Sequence, residues 1–149
     1  MRRCPLAVLV VVALTLLAIP ARAIVHSPQP AGSAARPANP DGWQIPPGAA
    51  DEKNPVAVND KVLAKGKALY QANCQRCHGA SGKGDGPDAD PEHRPDDLTD
   101  ASRADRNPDG VMFHKIWNGR RKPKMPAFKA DLTRDEAWTV VHFAKTLRK

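Results

Sequence analysis

The stretch Cys74-Gln75-Arg76-Cys77-His78-Gly79 constrains this chain more than any other. Two thiols three positions apart, with a histidine directly after the second, form the attachment pattern for a c-type haem. The thiols can add to the two vinyl groups of the porphyrin as thioethers. The neighbouring imidazole then reaches the iron as its proximal ligand. A covalent tether lets a small chain hold a large apolar cofactor without a deep pocket. Rival readings of the pair fail on context. Zinc needs further N or S ligands at suitable spacing, and the remaining cysteine, Cys4, stands far upstream in a stretch with export character. A thioredoxin-like redox pair needs a βαβ setting, and no strand-like run precedes Cys74.

Residues 1–23 read as a secretory signal. Arg2 and Arg3 give a positive start, Leu6 to Ile19 is apolar but for Thr15, and Ala21-Arg22-Ala23 supplies a cleavage site. The apolar run is shorter than the roughly 20 residues of a membrane span; an uncleaved anchor stays as the alternative. Export agrees with thioether chemistry, which is assembled outside the cytoplasm, in bacteria in the periplasm. Residues 24–59 are different material. Pro28, Pro30, Pro37, Pro40, Pro46, Pro47 and Pro55 stand among Ala, Gly and Ser without apolar periodicity. They predict a mostly extended spacer, on which Trp43 and Ile45 are candidates for docking onto the domain that follows.

The folded domain is expected over 60–149, with 18 basic and 13 acidic residues and a net charge of +5. About 90 residues make a marginal core alone, and the haem adds apolar bulk. Asn59 or Asp60 can cap a first helix running to Asn73, with Val62, Gly66, Leu69 and Tyr70 on one face. Asn107-Pro108-Asp109 starts another, carrying Val111, Met112, Ile116 and Trp117 to a stop at Gly119. Thr133 to Glu136 is a capping box. The helix after it carries Ala137, Val140, Val141, Ala144 and Leu147 as an inner stripe, with Trp138 and Phe143 beside it. The glycine loop 79–87 lacks the G-K-[ST] ending of a phosphate cradle, and Asp85, Asp88, Asp90 and Asp96 lack calcium-loop spacing.

Gly66, Tyr70, the C-x-x-C-H-G motif, a glycine loop with Pro87, Met125-Pro126 and a terminal helix with Trp138 and Phe143 together resemble the class I cytochromes c. The resemblance covers 60–149 and is strongest to small single-haem bacterial carriers and to cytochrome subunits of oxidases and dehydrogenases. It implies an all-α cytochrome c fold of three to four helices around one covalently attached haem c, with the first and last helices crossing at Gly66 and Phe143. It implies Cys74 and Cys77 as attachment points, and His78 and Met125 as the two iron ligands. The Pro87 carbonyl is implied as acceptor for the His78 Nδ1 proton. On the residues alone, Met112, His93, His114 and His142 remain alternatives for the distal position. Met112 also reads as core, and the histidines as surface.

Two protein ligands leave the iron no open position, so the expected function is one-electron transfer in the periplasm, without catalysis. A haem subunit of a larger dehydrogenase or oxidase is the alternative, followed by an open-site peroxidase-like or sensor haem. Expected partners are periplasmic redox proteins with an acidic docking face, because Lys115, Arg120, Arg121, Lys122, Lys124 and Lys129 flank the Met125 loop; the same run also reads as a solvated face, and Arg120 or Arg121 as the partner of a haem propionate. Nucleic acid is not expected, and a membrane only if the first segment is retained.

Overall fold

The structure, a computed structural model, describes residues 42–149. The stretch read as a signal and residues 24–41 of the spacer lie outside the described residues. Four helices organise the rest: α1 (Asp60–Asn73), α2 (Gln75–His78), α3 (Asp109–Asn118) and α4 (Arg134–Thr146). Single 3₁₀ turns lie at Ala49–Asp51 and Ala101–Arg103. The fold is all-α; among the described residues the only β pairing is an isolated bridge between Arg120 and Met125.

Local chemistry explains the helix ends. The Asn59 side chain accepts from Val62 N–H at 3.0 Å and starts α1. The Thr133 hydroxyl accepts from Glu136 N–H while the Glu136 carboxylate accepts from Thr133 N–H, a complete capping box for α4. The start of α3 differs from the sequence expectation. Asn107 does not cap it; Pro108 holds the cap position, and the Asn107 amide turns back to the Arg103 carbonyl.

The first and last helices pack on each other at Gly66. A Cβ there would stand 2.6 Å from the Thr139 carbonyl oxygen and 2.8 Å from Phe143 Cβ. Only a residue without a side chain allows this approach. On the other side of α4, Phe113 of α3 stacks on Trp138 with ring centroids 4.2 Å apart, and Trp117 stacks on Phe113 at 5.6 Å. Met112, Phe113, Ile116, Leu132, Ala137, Trp138, Val140, Val141 and Ala144 form the buried core.

A branched side chain at the helix crossing has nowhere to go without moving backbone. Gly66→Val should therefore lower stability by about 1–3 kcal/mol. For a domain of this size each kcal/mol lost is about 4–8 °C in Tm, which thermal unfolding of the full chain will read.

Candidate haem site

Helix α2 is the attachment motif itself, one helical turn continuing from the end of α1. Cys77 N–H and His78 N–H both return to the Cys74 carbonyl, at 3.1 and 2.9 Å. The glycine loop then folds back along this turn. Gly84, Gly86 and Asp88 N–H groups donate to the carbonyls of His78, Cys77 and Arg76, at 2.8, 3.2 and 2.8 Å. From α1 the buried Tyr70 hydroxyl donates to the Gly79 carbonyl at 2.8 Å, fixing the residue after His78. Burial raises the Tyr70 pKa above its ordinary 10.0, with the Cys74 and Asp85 charges adding to the rise.

A cavity, partly open to solvent, lies against this turn. Cys74 and His78 line one part of it, and Met125 lines it as well. Leu98, Met112, Ile116, Val140 and Ala144 supply apolar wall; Arg103, Lys115, Arg120, Lys124 and Arg148 supply a cationic margin. Burial lowers the His78 pKa, with the Asp96 backbone and charge pulling the other way. A neutral imidazole is the form that binds a metal. The Cys74 thiol is pushed up to about 12 by burial and by Cys77, so it stands as a neutral thiol. Cys77 is half-buried, and its thiol donates to the Asp88 carbonyl at 3.7 Å. Both cysteines are free.

These residues fit a covalently held haem. Two free thiols and an imidazole stand on one helical turn, beside an apolar cavity with a soft sulfur on its wall. The His78 Nδ1 atom is buried without a hydrogen-bond partner. The resemblance implies the Pro87 carbonyl as acceptor for this proton once the haem is bound. The returning loop pairs with Arg76 and Cys77 at this point, which leaves Pro87 exposed and outside the cavity lining. Sequence reading missed Pro95, which with Leu98 does line the cavity. The available signal was Pro95 standing three residues before the one large apolar side chain in a polar loop.

The structure also sorts the rival iron ligands. His114 lies 3.0 Å from Glu52, and His142 Nε2 donates to the Val56 carbonyl at 2.7 Å; neither lines the cavity. His93 does, on an exposed loop where Nδ1 is 3.3 Å from Asp90. Met112 lines it too, but its sulfur receives Arg148 Nη2 at 3.1 Å. Met125 is held by a reciprocal bridge, with Arg120 and Met125 exchanging N–H to carbonyl bonds of 2.9 Å each, and Phe128 N–H fastens the following residues to the Ile116 carbonyl at 3.1 Å.

The cytochrome c family model matches residues 63–148, more than half of the chain. This chain belongs to the cytochrome c family. Its cofactor is haem c, and its chemistry is haem-based electron transfer. Among solved structures, the reducing HAO-like protein complex of Kuenenia stuttgartiensis is similar at 26% identity and a TM-score of 0.56, over 64% of this chain and 47% of that one. The present cytochrome thus spans about half the length of that relative. The KustC0563 c-type cytochrome matches at 28% identity and a TM-score of 0.46, over 56% of this chain and 98% of its own. Cytochrome cL of the marine methylotroph Methylophaga aminisulfidivorans MPT matches at 22% and 0.49, over 61% and 56%. No curated protein matches by sequence.

Tyr70 is the buried link between α1 and the haem-binding turn of this cytochrome. Tyr70→Phe removes the shorter of the two hydrogen bonds to the Gly79 carbonyl, leaving that from Gly82 N–H at 3.3 Å, and should cost about 0.5–1.5 kcal/mol in denaturant unfolding. The folded pKa of Tyr70 lies above the unfolded one, so its share of stability is complete below about pH 10 and falls as pH rises beyond it. The phenylalanine variant should lose stability less steeply than wild type over that alkaline range.

Proposed function

We propose that this cytochrome is an exported one-electron carrier whose haem is joined to Cys74 and Cys77 and ligated by His78 and Met125. The observation that carries the reading is the shared cavity: the attachment turn and the bridged Met125 loop line the same space. The bound haem supplies Fe(III)/Fe(II) cycling. The chain's own part is to hold an imidazole and a thioether fixed in both oxidation states, and to keep water off the metal with Leu98, Ile116 and Val140. Thioether ligation in an apolar pocket favours a high reduction potential. Residues 1–23 are assigned to export into the periplasm and 24–59 to the segment joining that signal to the haem domain.

The basic run near Met125 divides into two groups. Arg121, Lys122, Lys124 and Lys129 are exposed, while Lys115 and Arg120 are half-buried. The exposed group, carried around the Met125 loop, suits an acidic redox partner met by electrostatic steering. A subunit role is the second reading, favoured by the likeness to a chain of the HAO-like complex, of which the match covers 47%.

Absorption spectra of both redox states test the reading. Wild type should be low-spin with a sulfur-to-iron charge-transfer band. Met125→Ala should lose that band, bind carbon monoxide readily and show a lower potential. A variant that stays low-spin at unchanged potential removes Met125 as ligand, and a colourless wild-type protein removes the whole proposal. Lys122→Glu with Lys124→Glu should slow electron transfer with an acidic partner. It should also flatten the fall of that rate with ionic strength, read by stopped-flow.

A further inference from the structure

The segment ahead of the matched domain is fastened along α3 and α4. Asn118 Nδ2 donates to the Gln44 carbonyl at 2.8 Å. Ala49 is buried against Gly110, where a Cβ would overlap the Ala49 carbonyl and the Glu52 side chain. Glu52 meets His114 at 3.0 Å, Asn54 Nδ2 donates to the Trp138 carbonyl at 2.9 Å, and the Val56 carbonyl accepts from His142. At its leading end the Trp43 ring lines the haem cavity. Arg120 Cζ lies 4.3 Å and Lys115 Nζ 5.0 Å from the centroid of that ring.

These two cations line the same cavity, and among the described residues neither forms an ion pair. Lys115 donates to Asn107 Oδ1, and Arg120 Nε to the Pro123 carbonyl at 2.8 Å. Like charges sharing one indole repel each other. Burial further disfavours the Lys115 charge; the Asp96 carboxylate opposes this, while Arg120, Arg103 and Arg106 add to it. An anion in the cavity would reverse the balance, and a porphyrin carries two propionates.

We infer that residues 43–56 are a strap completing the haem pocket, with Trp43 a positioning residue that holds Arg120 and Lys115 toward the propionates of the bound porphyrin. The inference rests on the haem reading above. Its functional consequence has a definite sign. Cations held near the porphyrin favour the less positive ferrous state, and an aromatic wall that excludes water strengthens their effect. Both act to raise the potential. The strap therefore extends the functional domain upstream of its matched boundary at residue 63.

The test uses the full-length, haem-loaded chain and its variants Trp43→Ala, Trp43→Phe and Trp43→Leu. Haem content, midpoint potential and amide hydrogen exchange over 43–56 are measured together. Alanine and leucine should keep the haem and its axial ligands, lower the potential, and speed exchange in the strap about tenfold or more. Phenylalanine, which keeps a π face for the cations, should restore most of the potential. Leucine keeps bulk without that face, so it carries the test if alanine does not accumulate. An unchanged potential in alanine and leucine overturns the positioning role, even if strap exchange quickens. Unchanged exchange overturns the strap. Coloured wild type with unaffected variants sinks this inference alone, whereas colourless wild type sinks the haem assignment with it.

Discussion

Where α1 meets α4, the Thr139 carbonyl and Phe143 Cβ press so closely on Gly66 that no methyl group fits between them. The geometry of the site depends on that contact. Going forward along α1 from Gly66, the chain reaches Tyr70 and then the attachment turn. Going back along α4 from Phe143, it reaches Val140, on the cavity wall. The helices' closest approach therefore sets how far the thiols and imidazole stand from the apolar wall facing them. Tyr70 strengthens the link, since its ring packs on Phe143 at 5.2 Å while its hydroxyl holds Gly79.

Helix α3 acts as a partition. Met112 and Ile116 line the cavity, whereas Phe113 and Trp117 join Trp138 in a stacked aromatic group. The aromatic side is closed by Arg134, whose guanidinium lies 4.7 Å from the Phe113 ring. The cavity side is lined by Leu98 together with Met112, Ile116, Val140 and Ala144, the last four of which also belong to the buried core. A domain this small buries a modest share of its surface, and haem c adds apolar bulk to it. Cofactor and fold are one packing problem here, and side chains that line the cavity contribute fully to stability only when it is filled.

Much of this was legible in the sequence, for local reasons. Helix caps depend on neighbours three residues apart, so Asn59, Gly119 and the Thr133–Glu136 box announced their helices. The attachment motif is local too, as a single turn of chain presents its thiols and imidazole. What the sequence hid was non-local. The path of the glycine loop was one such feature: Gly84, Gly86 and Asp88 N–H groups fold it back onto the carbonyls of His78, Cys77 and Arg76, and Pro87 between them is exposed. Asn107 was a good cap by type, yet Lys115 and the Arg103 carbonyl outcompete the helix start for its side chain. The basic run read as one surface patch, whereas the Arg120–Met125 bridge turns Arg120 inward and leaves Arg121, Lys122 and Lys124 outside.

The proline-rich stretch carries the sharpest form of that lesson. Its composition predicts extended backbone, since proline and its neighbours disfavour helix; among the described residues it also holds the 3₁₀ turn Ala49–Asp51. Composition is silent on whether an extended segment lies free or docked. That is decided by whether its polar groups find partners: Asn118 and His142 donate to the Gln44 and Val56 carbonyls, and the Asn54 side chain donates to the Trp138 carbonyl, roughly 75–85 positions downstream. Fastening so distant a segment costs chain entropy that grows only slowly with the loop closed, and Pro46, Pro47 and Pro55 have already removed part of the freedom to be lost. A stiff segment with an aromatic end can therefore be held by a few side-chain hydrogen bonds and one buried alanine. Flexible glycine-serine chain of the same length would need more. The prolines that made the stretch look like a linker are what make it suitable as a wall.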